Sequence, residues 1–251
     1  MAYNLSQVKN LRSSQEVSMK VLAIGAHPDD LEILCGGTLA LYRQKGHEVF
    51  MCHVCDGNKG SLVYTSEELA KIRRKEAIES AKLIGAESIW GGMSDLEVVL
   101  DMKSRLVITD VIRQANPDVI ITHNPDDYHT DHINVSRLVF EASYMAGVKL
   151  LETDFPKSDK LPYLYYMDTI AGINFYPTEY VDITETIDIK IEMLMKMKSQ
   201  LGWLKDMHDA DVDDFTKTTA KFRGYQAGVA FAEAFRAQSM YPQGLTERIL
   251  P

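Results

Sequence analysis

The first half of the chain alternates short apolar runs with helical patterns, and this alternation restricts the fold more than any other feature. Lys20–Gly25, Glu48–Cys55 and Asp118–Thr122 are apolar runs typical of strands buried on both faces of a sheet. Strands joined by helices through short connections predict a parallel sheet with right-handed crossovers. We therefore expect an α/β fold: a Rossmann-like, doubly wound, mostly parallel sheet with helices on both faces. Helical spacing of apolar residues occurs over 30–46, 66–83, 103–114 and 132–146.

The second half of the chain is less regular. Short apolar runs predict strands at Tyr163–Met167 and Glu179–Val181, and helical spacing predicts helices over 184–199 and 215–236. The stretch 202–214 between these helices is acidic, which makes it a candidate for a flexible lid over a binding site.

We expect residues 1–251 to form one domain, because no linker rich in glycine, proline or serine divides the chain. Residues 1–18 are a polar extension that lacks the apolar core of a secretory signal, and no apolar run approaches the roughly 20 residues that cross a bilayer. Three cysteines are too few for a disulfide framework. These features predict a cytoplasmic protein without a membrane span.

The charge balance excludes one class of partner. Lysine and arginine total 27 against 36 aspartates and glutamates, which gives a formal net charge of −9. A chain of this sign is not attracted to phosphate backbones. We therefore expect a small-molecule partner and no nucleic acid.

Two clusters of histidine and aspartate follow two of the predicted strands. The sequence Gly-Ala-His-Pro-Asp-Asp occupies 25–30 after the first strand, and a second cluster at 123–132 follows the strand at 118–122. In an open α/β sheet, ligands bind at the carboxyl ends of the strands, where the strand order reverses. With the common strand order 3-2-1-4-5, the two clusters follow neighbouring strands and converge on one place.

The residue types in these clusters suit a divalent metal ion. Two imidazoles and one carboxylate form a ligand set of catalytic zinc that leaves a position for water. His27 and Asp30 lie three residues apart at a helix start, where the helix dipole favours an ionised carboxylate. The third ligand is His129 or His132, and the residues alone do not choose between them. Asp29 remains beside the metal as a general base, and the spare histidine as an acid or a partner of the developing oxyanion.

The same segments resemble those of a known family. The motifs at 25–30 and 129–132 are similar to those of the LmbE/PIG-L superfamily of zinc-dependent N-acetylglucosaminyl de-N-acetylases, and in particular to the bacterial LmbE-like deacetylases of bacillithiol biosynthesis. This resemblance implies one zinc ion per chain, bound by His27, Asp30 and His132. Shorter stretches that support it lie at 36–38, 56–57, 73–77 and 228–235.

The resemblance also implies roles for the remaining site residues. Asp29 is expected to be the general base, and Arg73 to contact the substrate. His129, oriented by Asp131, is expected to stabilise the charge that develops on the carbonyl oxygen. The implied activity is a hydrolase that removes an acetyl group from an N-acetylated amino sugar of the GlcNAc-conjugate type, giving acetate and a free amine. Relatives that form hexamers lead us to expect a homo-oligomer.

Two other functions remain open. Two histidines and one carboxylate are also the ligand set of non-haem iron oxygenases, although such an enzyme has no need of the adjacent Asp29. A non-catalytic sugar- or nucleotide-binding module could use the strand-to-helix turn to hold phosphate. Two aspartates at the start of the helix would repel a phosphate group, which counts against this second alternative.

Overall fold

The computed structural model describes residues 18–209 and 211–239. Its strands are β1 (Lys20–Gly25), β2 (Glu48–Cys55), β3 (Glu87–Met93), β4 (Val119–Thr122), β5 (Tyr163–Met167), β6 (Glu179–Asp182) and β7 (Ala232–Ala237). Its α-helices are α1 (Asp30–Leu34), α2 (Gly36–Gln44), α3 (Ser66–Ile84), α4 (Met102–Ala115), α5 (Thr130–Met145), α6 (Ile187–Leu194), α7 (Lys198–His208) and α8 (Val212–Ala227). Residues 1–17, most of the predicted N-terminal extension, lie outside the described residues.

The strands form one sheet in the order β3-β2-β1-β4-β5-β7-β6. Strands β1 to β5 pair in parallel, and β7 pairs antiparallel with both β5 and β6. The chain moves from β1 to one side through β2 and β3, and then returns to the other side through β4 and β5. This reversal confirms the doubly wound, mostly parallel sheet and places the switch point between β1 and β4.

Helices cover both faces of this sheet. The side chains of β1 alternate: Leu22 and Ile24 pack with residues of α4 and α5 on one face, and Val21 and Ala23 pack with residues of α2 and α6 on the other. All four are fully buried. Because a fully buried aliphatic side chain such as leucine or isoleucine contributes about 1.5–3 kcal/mol, the two layers fix β1 at the centre of the domain.

The helix predicted over 30–46 is two helices. The helical conformation breaks at Cys35, which has φ −143° and ψ 9°, so that α1 ends at Leu34 and α2 begins at Gly36. The start of α2 is bound by a distant residue, because the carboxylate of Glu233 accepts hydrogen bonds from the main-chain N–H groups of Gly37 (2.9 Å) and Thr38 (2.7 Å). Helical spacing alone could not reveal the start of α2, because the residue that binds its first N–H groups, Glu233, lies on β7.

The prediction of one helix over 215–236 is wrong in its second half. Helix α8 ends at Ala227, and Gly228 follows as a left-handed cap with φ +77°. Residues 232–237 form strand β7. Alanine, glutamate and arginine in this segment have high helix propensity, but pairing with β5 and β6 overrides it. The helix predicted over 184–199 also divides, into α6 and the first turn of α7.

The segment 202–214 belongs mainly to α7 and α8. None of the helices within the described ranges is long and apolar enough to span a membrane.

Candidate active site

A cavity of about 680 Å³ opens beyond the carboxyl ends of β1 and β4. The turn after β1 and the loop after β4 supply its floor, so the two histidine and aspartate clusters meet as their strand positions predict. Five of the predicted site residues line this floor: His27, Asp29, Asp30, His129 and His132.

The turn between β1 and α1 is held by hydrogen bonds to its main chain. The N–H of Ala26 donates to Nε2 of His123 (2.9 Å), and the N–H of His27 donates to Oδ2 of Asp30 (2.6 Å). Asp29 has φ +139° and ψ −27°, a conformation that costs of order 1–3 kcal/mol in a residue other than glycine. The turn therefore holds the Asp29 carboxylate at the cavity, although the backbone conformation of Asp29 is strained.

Asp30 lies against three histidines, and its Oδ2 is 3.2 Å from Nε2 of His123. One carboxylate oxygen is 3.4 Å from Nδ1 of His27, and the other is 3.3 Å from Nε2 of His132. Nδ1 of His132 is in turn 3.1 Å from Oδ2 of Asp127. A histidine held by a carboxylate through its second nitrogen is the usual arrangement around a bound metal.

Two overlapping sets of side chains that share His132 could hold a metal ion, and His27, Cys55 and Asp131 form a third candidate set. The ligand atoms of His27, His129 and His132 lie within 4.8 Å of one another, as do those of Asp30, His123 and His132. Imidazole nitrogens and carboxylate oxygens are ligands that zinc accepts, so the donor chemistry of this cluster fits the expected ion.

His123 is a site residue that the sequence reasoning did not single out. It is fully buried, stacks on His132 with ring centroids 3.9 Å apart, and burial followed by the charge of His132 lowers its pKa to about 4. Its Nε2 already accepts the N–H of Ala26, which leaves that lone pair unavailable to a metal in this geometry. Its place as the first residue after β4 was the available signal.

The remaining charges of the cluster are strongly coupled. Burial opposes ionisation of Asp30, but His132 and His123 outweigh it and hold the Asp30 pKa well below its ordinary value. Burial lowers the His132 pKa, but Asp30 and Asp127 raise it to about 9. For Asp29, burial first and the Asp30 charge second raise the pKa to about 7. The pKa values of the neighbouring Asp29 and Asp30 are therefore shifted in opposite directions.

Asp131 makes a different contact from the expected one. Its Oδ2 is 3.1 Å from Nε2 of His27 and accepts the N–H of Leu96 (2.7 Å). Its main-chain N–H, and not its carboxylate, donates to Nδ1 of His129 (3.2 Å). The proton of a neutral His129 ring is therefore on Nε2, because Nδ1 acts as an acceptor.

Arg73 reaches the cavity from α3. It is only 2% exposed and donates from Nη2 to the carbonyl of Gly60 (2.9 Å). A Cβ at Gly57 would lie 2.3 Å from Cδ of Arg73, so this close approach requires glycine. Asp95, also unrecognised in the sequence, holds the same loop by accepting the N–H of Gly57 (2.8 Å).

Comparisons with known proteins agree with the family resemblance of the two motifs. Residues 22–143 match the PIG-L family, described as GlcNAc-PI de-N-acetylase. The chain is 29% identical over 227 residues to the diacetylchitobiose deacetylase of Thermococcus kodakarensis, a match that covers 86% of this chain and 82% of that protein. It is 22% identical over 205 residues to the 4-oxalmesaconate hydratase of Pseudomonas putida, with 76% and 77% covered.

A solved structure agrees over nearly the whole chain. The N,N'-diacetylchitobiose deacetylase of Pyrococcus horikoshii matches with a TM-score of 0.78 and 26% identity, covering 95% of this chain and 94% of that one. The family match spans β1 to α5, which supply the cavity floor and Arg73. The two motifs, the sheet and these matches show that the chain resembles the LmbE/PIG-L superfamily, with the family match over residues 22–143 and the deacetylase matches over most of the chain.

Proposed function

We propose that this protein is a zinc-dependent hydrolase that removes the acetyl group from an N-acetylated amino sugar of the GlcNAc-conjugate type. The observation that carries the proposal is the contact of the Asp30 carboxylate with both His27 (3.4 Å) and His132 (3.3 Å) on the cavity floor, with Asp29 beside them. Two relatives named as diacetylchitobiose deacetylases support this substrate class.

We propose one zinc ion per chain, with His27, Asp30 and His132 as its ligands. The donor set fits, and carboxylates lie against the second nitrogens of both histidines, Asp131 on His27 and Asp127 on His132. A zinc ion bound there lowers the pKa of a bound water to about 7 and polarises a carbonyl group.

Asp29 is the proposed general base. Its carboxylate lines the cavity and its pKa is raised to about 7 by burial and by Asp30, which is near the value that suits proton transfer at neutral pH. It accepts a proton from the attacking water and afterwards returns a proton to the nitrogen of the departing amine. The carbon–nitrogen bond breaks, and the products are acetate and the amino sugar.

His129 and Arg73 act on the substrate in this proposal. His129 presents an N–H at Nε2, because Nδ1 accepts from the main chain, and this group can donate to the carbonyl oxygen as negative charge develops. The carboxylate of Asp131 acts through His27, and its main-chain N–H orients His129. Arg73, fixed to the Gly60 carbonyl, binds the sugar.

Acetate release tests the reaction directly. The zinc-loaded protein is incubated with methyl N-acetylglucosaminide and with diacetylchitobiose, and acetate and primary amine are both quantified. We expect equal amounts of the two products. Because one relative is named as a hydratase, the same preparation is offered an unsaturated carboxylic acid. Water addition to that acid without acetate from any amino sugar would overturn the proposal. Oxygen consumption is measured in the same preparation, because an oxygenase consumes oxygen and a hydrolase does not.

We also propose that the protein acts in the cytoplasm as a homo-oligomer, with a hexamer as the leading candidate. The free thiols of Cys35, Cys52 and Cys55, all buried, agree with a reducing compartment. Light scattering at micromolar concentration tests the assembly, and a particle with the mass of one chain would contradict it.

A further inference from the structure

The cavity has a second half that the proposed chemistry does not use. Apart from the polar floor, the cavity has an outer wall made mainly of apolar side chains from α7, α8 and the segment after β5, with Gln200 and Asp211 as its polar members. Its apolar members are Ile170, Trp203, Leu204, Val212 and Phe215. Val212 is buried and the other four are half-buried, so the wall presents apolar surface to the cavity. Covering such surface with an apolar group of a ligand makes the free energy of binding more favourable.

The outer wall is tied to α3 and to the loop after β2, which together position Arg73. Glu76 on α3 accepts hydrogen bonds from the main-chain N–H (3.0 Å) and the hydroxyl (2.7 Å) of Ser199, at the start of α7. A Cβ at Gly60 would lie 3.3 Å from two ring atoms of Trp203, so the indole packs against this glycine. Because the carbonyl of Gly60 also accepts a hydrogen bond from Arg73, the indole ring and the guanidinium group are held in fixed positions relative to each other.

The charges around the outer wall disfavour an anionic ligand group. Lys59 lines the cavity, but its Nζ is 3.0 Å from a carboxylate oxygen of Glu97. The guanidinium of Arg73 is buried and bound to a carbonyl. Asp211, exposed at the same wall, adds negative charge. Among the described residues that line the wall itself, Asp211 is the only charged one, so a carboxylate or phosphate placed against this wall meets repulsion.

We propose that the outer wall is a specificity subsite that selects an uncharged apolar group, aryl or alkyl, attached to the acetylated sugar. This inference rests on the proposed deacetylase reaction, because it names the part of the substrate that lies beyond the reacting amide. Trp203 and Phe215 provide the aromatic surface, and Leu204, Val212 and Ile170 complete the subsite. The floor binds the acetamido sugar, and the wall determines which conjugate of that sugar enters.

Three glycosides of N-acetylglucosamine test the subsite: the methyl, the phenyl and the 1-phosphate derivatives. We expect kcat/KM for acetate release from the phenyl glycoside to exceed that from the methyl glycoside about tenfold or more, the usual effect of filling an apolar pocket. The phosphate derivative should react less efficiently than the methyl glycoside. Equal values for phenyl and methyl, or preference for the phosphate, would overturn the proposal.

A pair of variants on one helix sharpens the test. In Phe215→Ser, which removes aromatic surface from the wall, the phenyl-to-methyl ratio should fall several-fold. Tyr225→Ser, on the same helix and 74% exposed away from the lining residues, should keep the wild-type ratio. Both kcat/KM values of a ratio come from one preparation, so partial misfolding cancels. An unchanged ratio in Phe215→Ser would show that the wall does not select.

Calorimetric binding of the phenyl and methyl glycosides separates the subsite from the reaction. Tighter binding of the phenyl glycoside with no acetate from any substrate would support the subsite and refute the deacetylase. Acetate release from both glycosides with equal affinities would support the deacetylase and refute the subsite.

Discussion

The floor and the outer wall of the cavity are built by different means. The floor consists of two short segments that begin directly at the ends of β1 and β4, and hydrogen bonds and charge hold its side chains in place. The wall comes from α7, α8 and the segment after β5, and apolar contact and the Glu76–Ser199 tether hold it. Changes in the floor should therefore affect the reaction with every substrate, whereas changes in the wall should affect the choice among substrates.

The largest effect is expected at the proposed zinc ligands. In Asp30→Ala and His132→Ala, zinc content should fall from about one ion per chain toward zero and deacetylation should be lost, because each variant removes a ligand and unbalances a buried ion pair. Metal analysis after dialysis measures this. His129→Ala is the matched control: it should keep its zinc, and loss of the ion there would exchange the roles of the two histidines.

Asp29→Asn should keep zinc and lose rate. The amide retains the size of the side chain but cannot accept the proton of the attacking water, so we expect kcat to fall roughly 10²- to 10⁴-fold. Deacetylation rates measured beside metal content distinguish Asp29 from its neighbour Asp30. A near-normal rate with zinc in place would show that another group, such as His129, is the base.

Glu233→Ala should lower the free energy of unfolding. Glu233 is buried, binds the start of α2 and pairs with the buried Lys190, so its loss leaves an unpaired charge at a cost of about 3–5 kcal/mol. Urea unfolding measures the free energy of unfolding. The double variant Glu233→Ala with Lys190→Met should recover part of the loss, and no recovery would contradict the pairing argument.

Glu76→Ala should have the smallest effect and act on the wall. Without its carboxylate, the start of α7 loses two hydrogen bonds, each worth about 0.5–1.5 kcal/mol. We expect KM for a phenyl glycoside to rise a few-fold with kcat little changed. Steady-state kinetics on phenyl and methyl glycosides measure this, and an equal loss of kcat on both would place Glu76 in the chemistry instead.

The floor could be predicted from the sequence because it depends on local features. A strand end fixes where the next residues lie, so the order of the strands was enough to bring the clusters of His27, Asp30 and His132 together. Two details depended on long-range packing and could not be predicted: the contact of the Asp131 carboxylate with His27, and the acceptance of the Ala26 N–H by His123.

The wall and the far edge of the sheet were harder to predict for the same physical reason. Strand β7 has a helix-forming composition and becomes a strand only through its neighbours β5 and β6. The first N–H groups of α2 donate to Glu233, which is 196 residues from Gly37 in the chain. Local propensity carries no information about such partners. The sequence marked 202–214 only as a candidate lid, and it did not predict that Trp203 and Val212 of this stretch line the same cavity as Phe215 and Ile170.

Zinc titration of the metal-free protein tests the central claim most directly. A strong chelator removes bound metal, and acetate release from a glycoside of N-acetylglucosamine is then measured as zinc is added back. We predict no activity without metal and a linear rise that ends at one zinc ion per chain. Acetate release at the full rate from the metal-free protein, or no release from any N-acetylated amino sugar at one bound zinc ion per chain, would contradict the account.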